Sequence, residues 1–317
     1  RAYAATFRAL HEVRMRMPAF LPRRVLDFGA GPGAASWAVH SVWAEAPPDI
    51  VAVEPNEGLR TLGARIGDCD GGPSASWLDM LPVTDGPAFE LAVAAFSLDT
   101  LPAPALRKAV AALWDRLGEG GVLAVVHPST PIGFSTSLLV RELLCGDSAD
   151  GMLAEHGGVR ARLVAPCPHT ACCPLAPGGA LQEWHGGRRG MKKGSSPCYV
   201  EQRVVESAAR AYTNRSKRRG RQRVNLNERF SYMVFERQGA QTQSSDAEAT
   251  GWSRIIRHPR PRSGHVLLDL CTPSGNVLPH VLTREKSHRQ PYRHARKARI
   301  GDAWLWPAPT PEELGPL

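Results

Sequence analysis

Residues 25–54 spell out a strand, a glycine turn, a helix and a second strand, and few folds accept that order. Val25-Leu26-Asp27-Phe28 is a short apolar run cut off by Gly29-Ala30-Gly31-Pro32-Gly33. A helical pattern follows over 34–46, and Ile50-Val51-Ala52-Val53 is a β-branched run ending on Glu54. Two further apolar runs, 91–96 and 122–126, enclose a helical pattern at 103–117 that breaks at the glycines of 118–121. Strands alternating with helices, each strand apolar on both faces, predict a parallel sheet covered on both sides. A helix over 1–20 precedes this unit, with Tyr3, Phe7, Leu10 and Val13 on one face, and another is expected around 138–144.

Glycines at 29, 31 and 33 remove Cβ atoms where the backbone must pass close to a ligand, and the helix N-terminus behind them favours polar or anionic groups. Glu54, at the end of the second strand, can accept both hydroxyls of a ribose. Asp79, after Trp77 and Leu78, suits an adenine edge. The set Asp27, Gly29, Gly31, Gly33, Glu54 and Asp79 therefore favours S-adenosylmethionine over NAD, in an α/β, Rossmann-like class I methyltransferase domain. The competing interpretation is that the glycines only form a tight turn and no ligand is retained. No catalytic residue is assigned. Ser97-Leu98-Asp99-Thr100-Leu101-Pro102 stands where an amine methyltransferase carries an Asn/Asp-Pro-Pro-aromatic loop. Pro166-Cys167 has the context of a cytosine C5 nucleophile, but a cysteine committed to a metal cannot also attack a base. His127 and Asp99 could act as bases, but the reading preferred for each is an ordinary polar residue at a strand end.

Charge divides the chain. Residues 1–165 carry 14 Lys and Arg against 18 Asp and Glu, whereas 166–317 carry 25 against 12. The basic half, with runs at 213–223 and 284–299, is expected to meet a polyanion. No apolar run approaches the ~20 residues of a membrane-spanning helix, so no membrane partner is expected. The chain opens on Arg1 rather than Met, and a processed or longer start is expected. We divide it into a Rossmann-like domain, 1–165, and a metal-binding, RNA-facing, β-containing region, 166–317. Residues 176–197 and 238–251 are expected to be loops and 199–212 a helix.

Seven cysteines in 317 residues are not a secreted disulfide scaffold. Cys167 and Cys173 share a proline-stiffened loop, while Cys198 and Cys271 must arrive through folding. Four thiolates suit tetrahedral Zn²⁺ or a [4Fe–4S] cluster, and the lack of paired Cys-x-x-Cys knuckles tilts the choice toward iron–sulfur. Cys172 rivals Cys173, His169 could replace a thiolate, and Cys69 and Cys145 are expected to be small buried hydrophobes.

Several segments together resemble the methyltransferase-like proteins of the mitochondrial small ribosomal subunit and their bacterial relatives. They are Leu26-Asp27-Phe28-Gly29-Ala30-Gly31-Pro32-Gly33, Ala165-Pro166-Cys167-Pro168-His169, Cys173-Pro174, Cys198-Tyr199-Val200-Glu201-Gln202-Arg203, Glu228-Arg229-Phe230-Ser231-Tyr232-Met233-Val234, Leu270-Cys271-Thr272-Pro273-Ser274-Gly275 and Tyr292-Arg293-His294-Ala295-Arg296-Lys297. The resemblance implies a [4Fe–4S] cluster on Cys167, Cys173, Cys198 and Cys271, and S-adenosylmethionine contacts from Gly29, Gly31, Glu54 and Asp79. It further implies a mitochondrial matrix factor that completes the small subunit, with small-subunit rRNA, mitochondrial ribosomal proteins and other assembly factors as partners. Two departures, His127-Pro128-Ser129 for Glu-Pro-Gly and Asp99-Thr100 for Asn-Glu, fall at the methyl-acceptor side. They point to weak or no catalysis. The alternative is an active rRNA cytosine methyltransferase.

Overall fold

The computed structural model describes residues 1–68, 71–83, 86, 88–145, 161–176, 198–205, 225–239, 251–285 and 289–307. Helix α1 (Ala2–Arg16) leads into β1 (Arg24–Phe28), α2 (Ala34–Val42) and β2 (Asp49–Val53), the order expected from the glycine turn. Next come α3 (Glu57–Gly67), β3 (Ala75–Leu78), β4 (Phe89–Ala95), a 3-10 turn at Leu98–Thr100, α4 (Ala103–Asp115), β5 (Leu117–Pro128) and α5 (Pro131–Cys145). Strands β6 (Ala161–Ala165), β7 (Val200–Val205) and β8 (Asn225–Arg237) complete the first sheet.

Its order is β3-β2-β1-β4-β5-β8-β6, with β7 also paired to β8. The first five strands are parallel, Leu26 standing opposite both Val51 and Ala92. β8 runs antiparallel between β5 and β6, with Phe235 opposite Leu123 on one side and Leu163 on the other. A parallel sheet with one antiparallel strand slotted before its last member is the class I methyltransferase arrangement. The order places a switch between β1 and β4, so the C-terminal ends of these strands open the crevice where such sheets bind ligands. One face buries Leu10, Val13, Val39 and Trp43 against Val25 and Tyr232, and the other buries Leu106, Trp114 and Leu144 against Leu26 and Phe235.

A second sheet holds β9 (Ser253–Ile255), β10 (Arg260–Pro261), β11 (His265–Cys271), β12 (Val277–Thr283) and β13 (Ala303–Trp304). Its order is β10-β11-β9-β13, with β12 paired to β11. Helix α6 (Arg289–Lys297) lays Tyr292 and Ala295 on its core beside Val266, Leu268 and Trp304. The change of charge at 165/166 does not coincide with a change of sheet, because β7 and β8 lie beyond it in the first sheet. Residues 200–205 form a strand, not the start of a helix. Val200, Val204 and Val205 are β-branched, and β8 offers them a free edge from Phe230 back to Asn225. Residues 177–197, 206–224 and 240–250, which include the 213–223 basic run, lie outside the described residues.

The two sheets are fastened by a buried ionic knot. Arg254 on β9, only 2% exposed, reaches Glu12 of α1 at 2.5 Å. It also donates to the carbonyls of Pro166 (2.8 Å) and Gly301 (2.7 Å). Arg16 binds Glu12 at 2.8 Å, and the Tyr232 hydroxyl donates to the same carboxylate at 2.5 Å. The Arg16 and Arg254 guanidinia lie 3.7 and 4.8 Å from the Trp252 ring centroid. Burial pushes the Glu12 carboxyl up, but Arg254, Arg16 and Tyr232 outweigh it and hold the group at about 2.

Candidate functional site

The glycine loop has the backbone its sequence demands. Gly29, Gly31 and Gly33 have φ of 68°, 55° and 87°, a region that side chains resist. A Cβ on Gly29 would lie 2.4 Å from the Ser97 Cβ, whereas one on Gly31 would meet nothing within 4 Å. The N–H groups of Gly29 and Ala30 donate to the Val53 carbonyl at 2.8 and 3.0 Å. Glu54 braces the loop, accepting from the Gly31 N–H and from the Asn56 N–H, each at 2.9 Å. Asp27 is fully buried; one carboxylate oxygen accepts from Ser36 Oγ at 2.7 Å, and the other has no partner among the described residues. Burial raises this carboxyl to about 6 against the opposing pull of Ser36. Asp79 is exposed beyond β3, while the Trp77 ring is packed against Gly33 and Gly63 and so anchors α3. The loop, Glu54, Asp79 and Ser97 follow the C-terminal ends of β1, β2, β3 and β4, one rim of the crevice. The open space at Gly31 suits the close approach of a ligand there, while the second Asp27 oxygen is sealed beneath the loop.

Past Phe96, a non-glycine residue at φ 58°, lie Asp99 and His127. The His127 ring is fully buried, its Nδ1 3.7 Å from Asp99 Oδ1, too long for a hydrogen bond. Neither ring nitrogen has a partner among the described residues. A base so enclosed does not face an acceptor placed in the crevice.

The cysteines gather further along the same edge of the first sheet, beyond the end of β5, where Ser231 of β8 stands opposite His127. Cys167, Cys173, Cys198 and Cys271 line one cavity with His169 and Arg254. They come from the loop after β6, the approach to β7 and the end of β11. Cys172 is exposed and does not line it, Cys145 is half-buried on α5 with its sulfur 3.8 Å from the Ala161 carbonyl, and Cys69 lies outside the described residues. Burial, then neighbouring Cys167, raises the Cys173 thiol to about 11; Cys198 and Cys271 are driven well up by burial and by the other cysteines. Burial raises Cys145 to about 11 as well. Left alone, the raised thiols stay protonated at neutral pH, and a bound metal would ionise them.

Among the described residues no three His, Cys, Asp or Glu side chains are grouped tightly enough to hold one metal ion. Four sulfur donors around one cavity are a donor set that suits either tetrahedral Zn²⁺ or a polynuclear cluster. The walls are held by polar contacts. Arg141 of α5 donates to Cys167 Sγ at 3.4 Å, to the His169 carbonyl at 3.1 Å and to the Ala171 carbonyl. His169 Nε2 lies 3.2 Å from Cys271 Sγ, and burial followed by Arg141 lowers the imidazole to about 4. Ser231 Oγ donates to the Cys198 carbonyl at 2.6 Å. The β11–β12 turn seats against this loop through Gly275, where a Cβ would come within 3.1 Å of Ala171. Sequence reasoning missed Glu12, Arg141 and Arg254, which belong to no motif and gain their roles only through contacts distant in sequence.

On the second sheet, α6 buries Tyr292 and Ala295 and turns Arg289, Arg293, Arg296 and Lys297 to solvent.

Comparison with known proteins places these features together. The family model described as mitochondrial small ribosomal subunit Rsm22 matches residues 1–305. The human ribosome assembly protein METTL17, mitochondrial, is 30% identical over 321 residues, which cover 99% of this chain and 62% of that protein. The ribosome assembly protein RSM22, mitochondrial, of Saccharomyces cerevisiae is 25% identical over 253 residues, 61% of this chain and 40% of that one. The chain thus spans less than two thirds of either relative. Among solved structures, precorrin-6y C5,15-methyltransferase from Geobacter metallireducens covers 73% of this chain and 87% of its own at 11% identity and a TM-score of 0.40, too distant to add to the strand order. Because one family model runs through both sheets and the cysteine loop, the chain belongs to the Rsm22 family of the mitochondrial small ribosomal subunit.

Proposed function

We propose that this chain acts in the mitochondrial matrix as a small-subunit assembly factor or component, with a methyltransferase-type scaffold and a [4Fe–4S] cluster on Cys167, Cys173, Cys198 and Cys271. The observation that carries this reading is the convergence of four cysteines, from three separate segments, on one cavity. When bound, such a cluster supplies metal–thiolate bonds whose free energy becomes folding free energy. Residues 166–317 would then act as the RNA-facing region. Its partners would be small-subunit rRNA, mitochondrial ribosomal proteins and other assembly factors, with the exposed cations of α6 meeting phosphates. Asp27, Gly29, Gly31, Gly33, Glu54 and Asp79 would hold S-adenosylmethionine, supported by the open space at Gly31.

Anaerobic purification followed by iron and sulfide analysis tests the cluster, with about four of each expected per chain. Cys271→Ser should lose most of the iron and the association with the small subunit, while Cys172→Ser should keep both. Iron-free wild type, or Cys271→Ser that binds and melts like wild type, would overturn the proposal. The second reading, an active rRNA cytosine methyltransferase, draws on the same features of the crevice. Methyl transfer to small-subunit rRNA would favour it, and S-adenosylmethionine binding without turnover would favour the assembly role.

A further inference from the structure

Arg141 presents an electrostatic problem that the first sheet does not solve. It projects from α5 into the protein and is 6% exposed. A guanidinium does not lose its proton in proteins, so a buried one requires a compensating anion. Arg254 has Glu12 for this purpose. Arg141 has no carboxylate within ion-pair distance among the described residues; its partners are two carbonyls, the His169 ring and Cys167 Sγ. Four neutral thiols would leave its charge uncompensated among the described residues, whereas thiolates gathered on a metal centre would balance it.

His169 extends the contact. Its Nδ1 faces Arg141 Nη2 at 3.5 Å; a guanidinium nitrogen can only donate, so this contact is a hydrogen bond in the tautomer with a bare Nδ1. The neutral ring then carries its hydrogen on Nε2, 3.2 Å from Cys271 Sγ. The two side chains therefore form a relay from α5 to two of the four sulfurs, one in the loop after β6 and one on β11.

We propose that Arg141 and His169 are positioning residues of the cysteine centre, Arg141 supplying the counter-charge at Cys167 and His169 an N–H donor at Cys271, so that together they stabilise its more reduced, more negative state. The inference rests on the assignment of the four cysteines to a cluster. Hydrogen bonds and positive charge beside cluster sulfurs raise the reduction potential, because they favour the form with the extra electron.

The test uses the full chain, purified anaerobically as wild type, Arg141→Gln, Arg141→Lys, His169→Leu and His169→Gln. The midpoint potential is measured by reductive titration and iron loss by transfer to a chelator. Arg141→Gln and His169→Leu should each shift the reduced-to-oxidised ratio about tenfold toward the oxidised form, or about 59 mV lower for a one-electron couple. Arg141→Lys, which keeps the charge without the fork, and His169→Gln, which keeps an N–H donor, should stay within about threefold of wild type, or about 28 mV. Unchanged potentials in Arg141→Gln and His169→Leu would reduce the pair to packing and overturn the inference. Should those two variants carry no iron, the conservative pair decides: iron held at near-wild-type potential supports the proposal, and iron lost from both overturns it. Wild type without iron or sulfide would instead refute the cluster assignment, and the inference with it.

Discussion

Replacing Glu12 with Gln keeps the shape of the side chain and an acceptor for Tyr232 but leaves Arg254 buried without its anion. The magnitude follows from the folded-state acidity of Glu12. Its carboxyl moves from 4.5 to about 2 on folding. At about 1.4 kcal/mol per unit, the difference is worth roughly 3 kcal/mol at pH 7. A depressed carboxyl contributes stability that is present above its unfolded value and is lost as pH falls from 4.5 through 2. Urea unfolding of wild type and Glu12→Gln, followed by tryptophan fluorescence at pH 7, 4 and 3, should therefore give a gap of about 3 kcal/mol that shrinks to about 1.4 kcal/mol at pH 3. The double variant Glu12→Gln/Arg254→Met should recover part of the loss, because removing both charges removes the unpaired one. A gap that is the same at pH 3 as at pH 7, or below about 1 kcal/mol throughout, would show that the knot does not carry this energy.

Three further outcomes follow from the site. Gly29→Ala should destabilise the protein by about 2 kcal/mol or more, because its φ of 68° and the Ser97 contact both oppose a Cβ; Gly31→Ala, with a φ of 55° but open space, should cost about 1 kcal/mol, and equal losses on thermal melting would contradict this. Asp27→Asn should be up to about 3 kcal/mol more stable than wild type at pH 7.5 and gain nothing near pH 3.5. A raised carboxyl contributes stability that is complete below 3.8 and is lost as pH rises through about 6, so a pH-independent difference in denaturant midpoint would refute the assignment. Arg293→Ala/Arg296→Ala should lower the slope of log affinity against log salt for small-subunit rRNA by about two, with little change in melting temperature.

The sequence made β1, β2, β4, β5 and the glycine loop visible because their signals are local: short apolar runs, glycines where φ turns positive, and a carboxylate closing the second strand; β3, only Ala75–Leu78, has no such run to mark it as a strand. It left β7 ambiguous, since Val200 and Val204 fit one turn of a helix as well as one face of a strand. The free edge of β8 decides between the two, and that edge is a tertiary fact. The four sulfurs could be named from a resemblance, but their spacing alone left Cys172 and Cys173 as equals. The fold separates them by turning Cys172 to solvent while Cys173 lines the cavity. Glu12 and Arg254 meet across almost the whole chain, and Arg141 reaches Cys167 from a helix that looks ordinary, so no window of sequence could have exposed either contact.

The position of β8 has a consequence for synthesis. It fills the gap between β5 and β6, yet its residues leave the ribosome well after both. At about 5–20 residues per second, the nascent chain displays the bare edge of β5 for on the order of ten seconds before its partner emerges. Cys271 comes later still. A polypeptide halted before residue 237 thus has neither a closed sheet nor a complete set of sulfurs, and nascent chains of that length are where aggregation should concentrate.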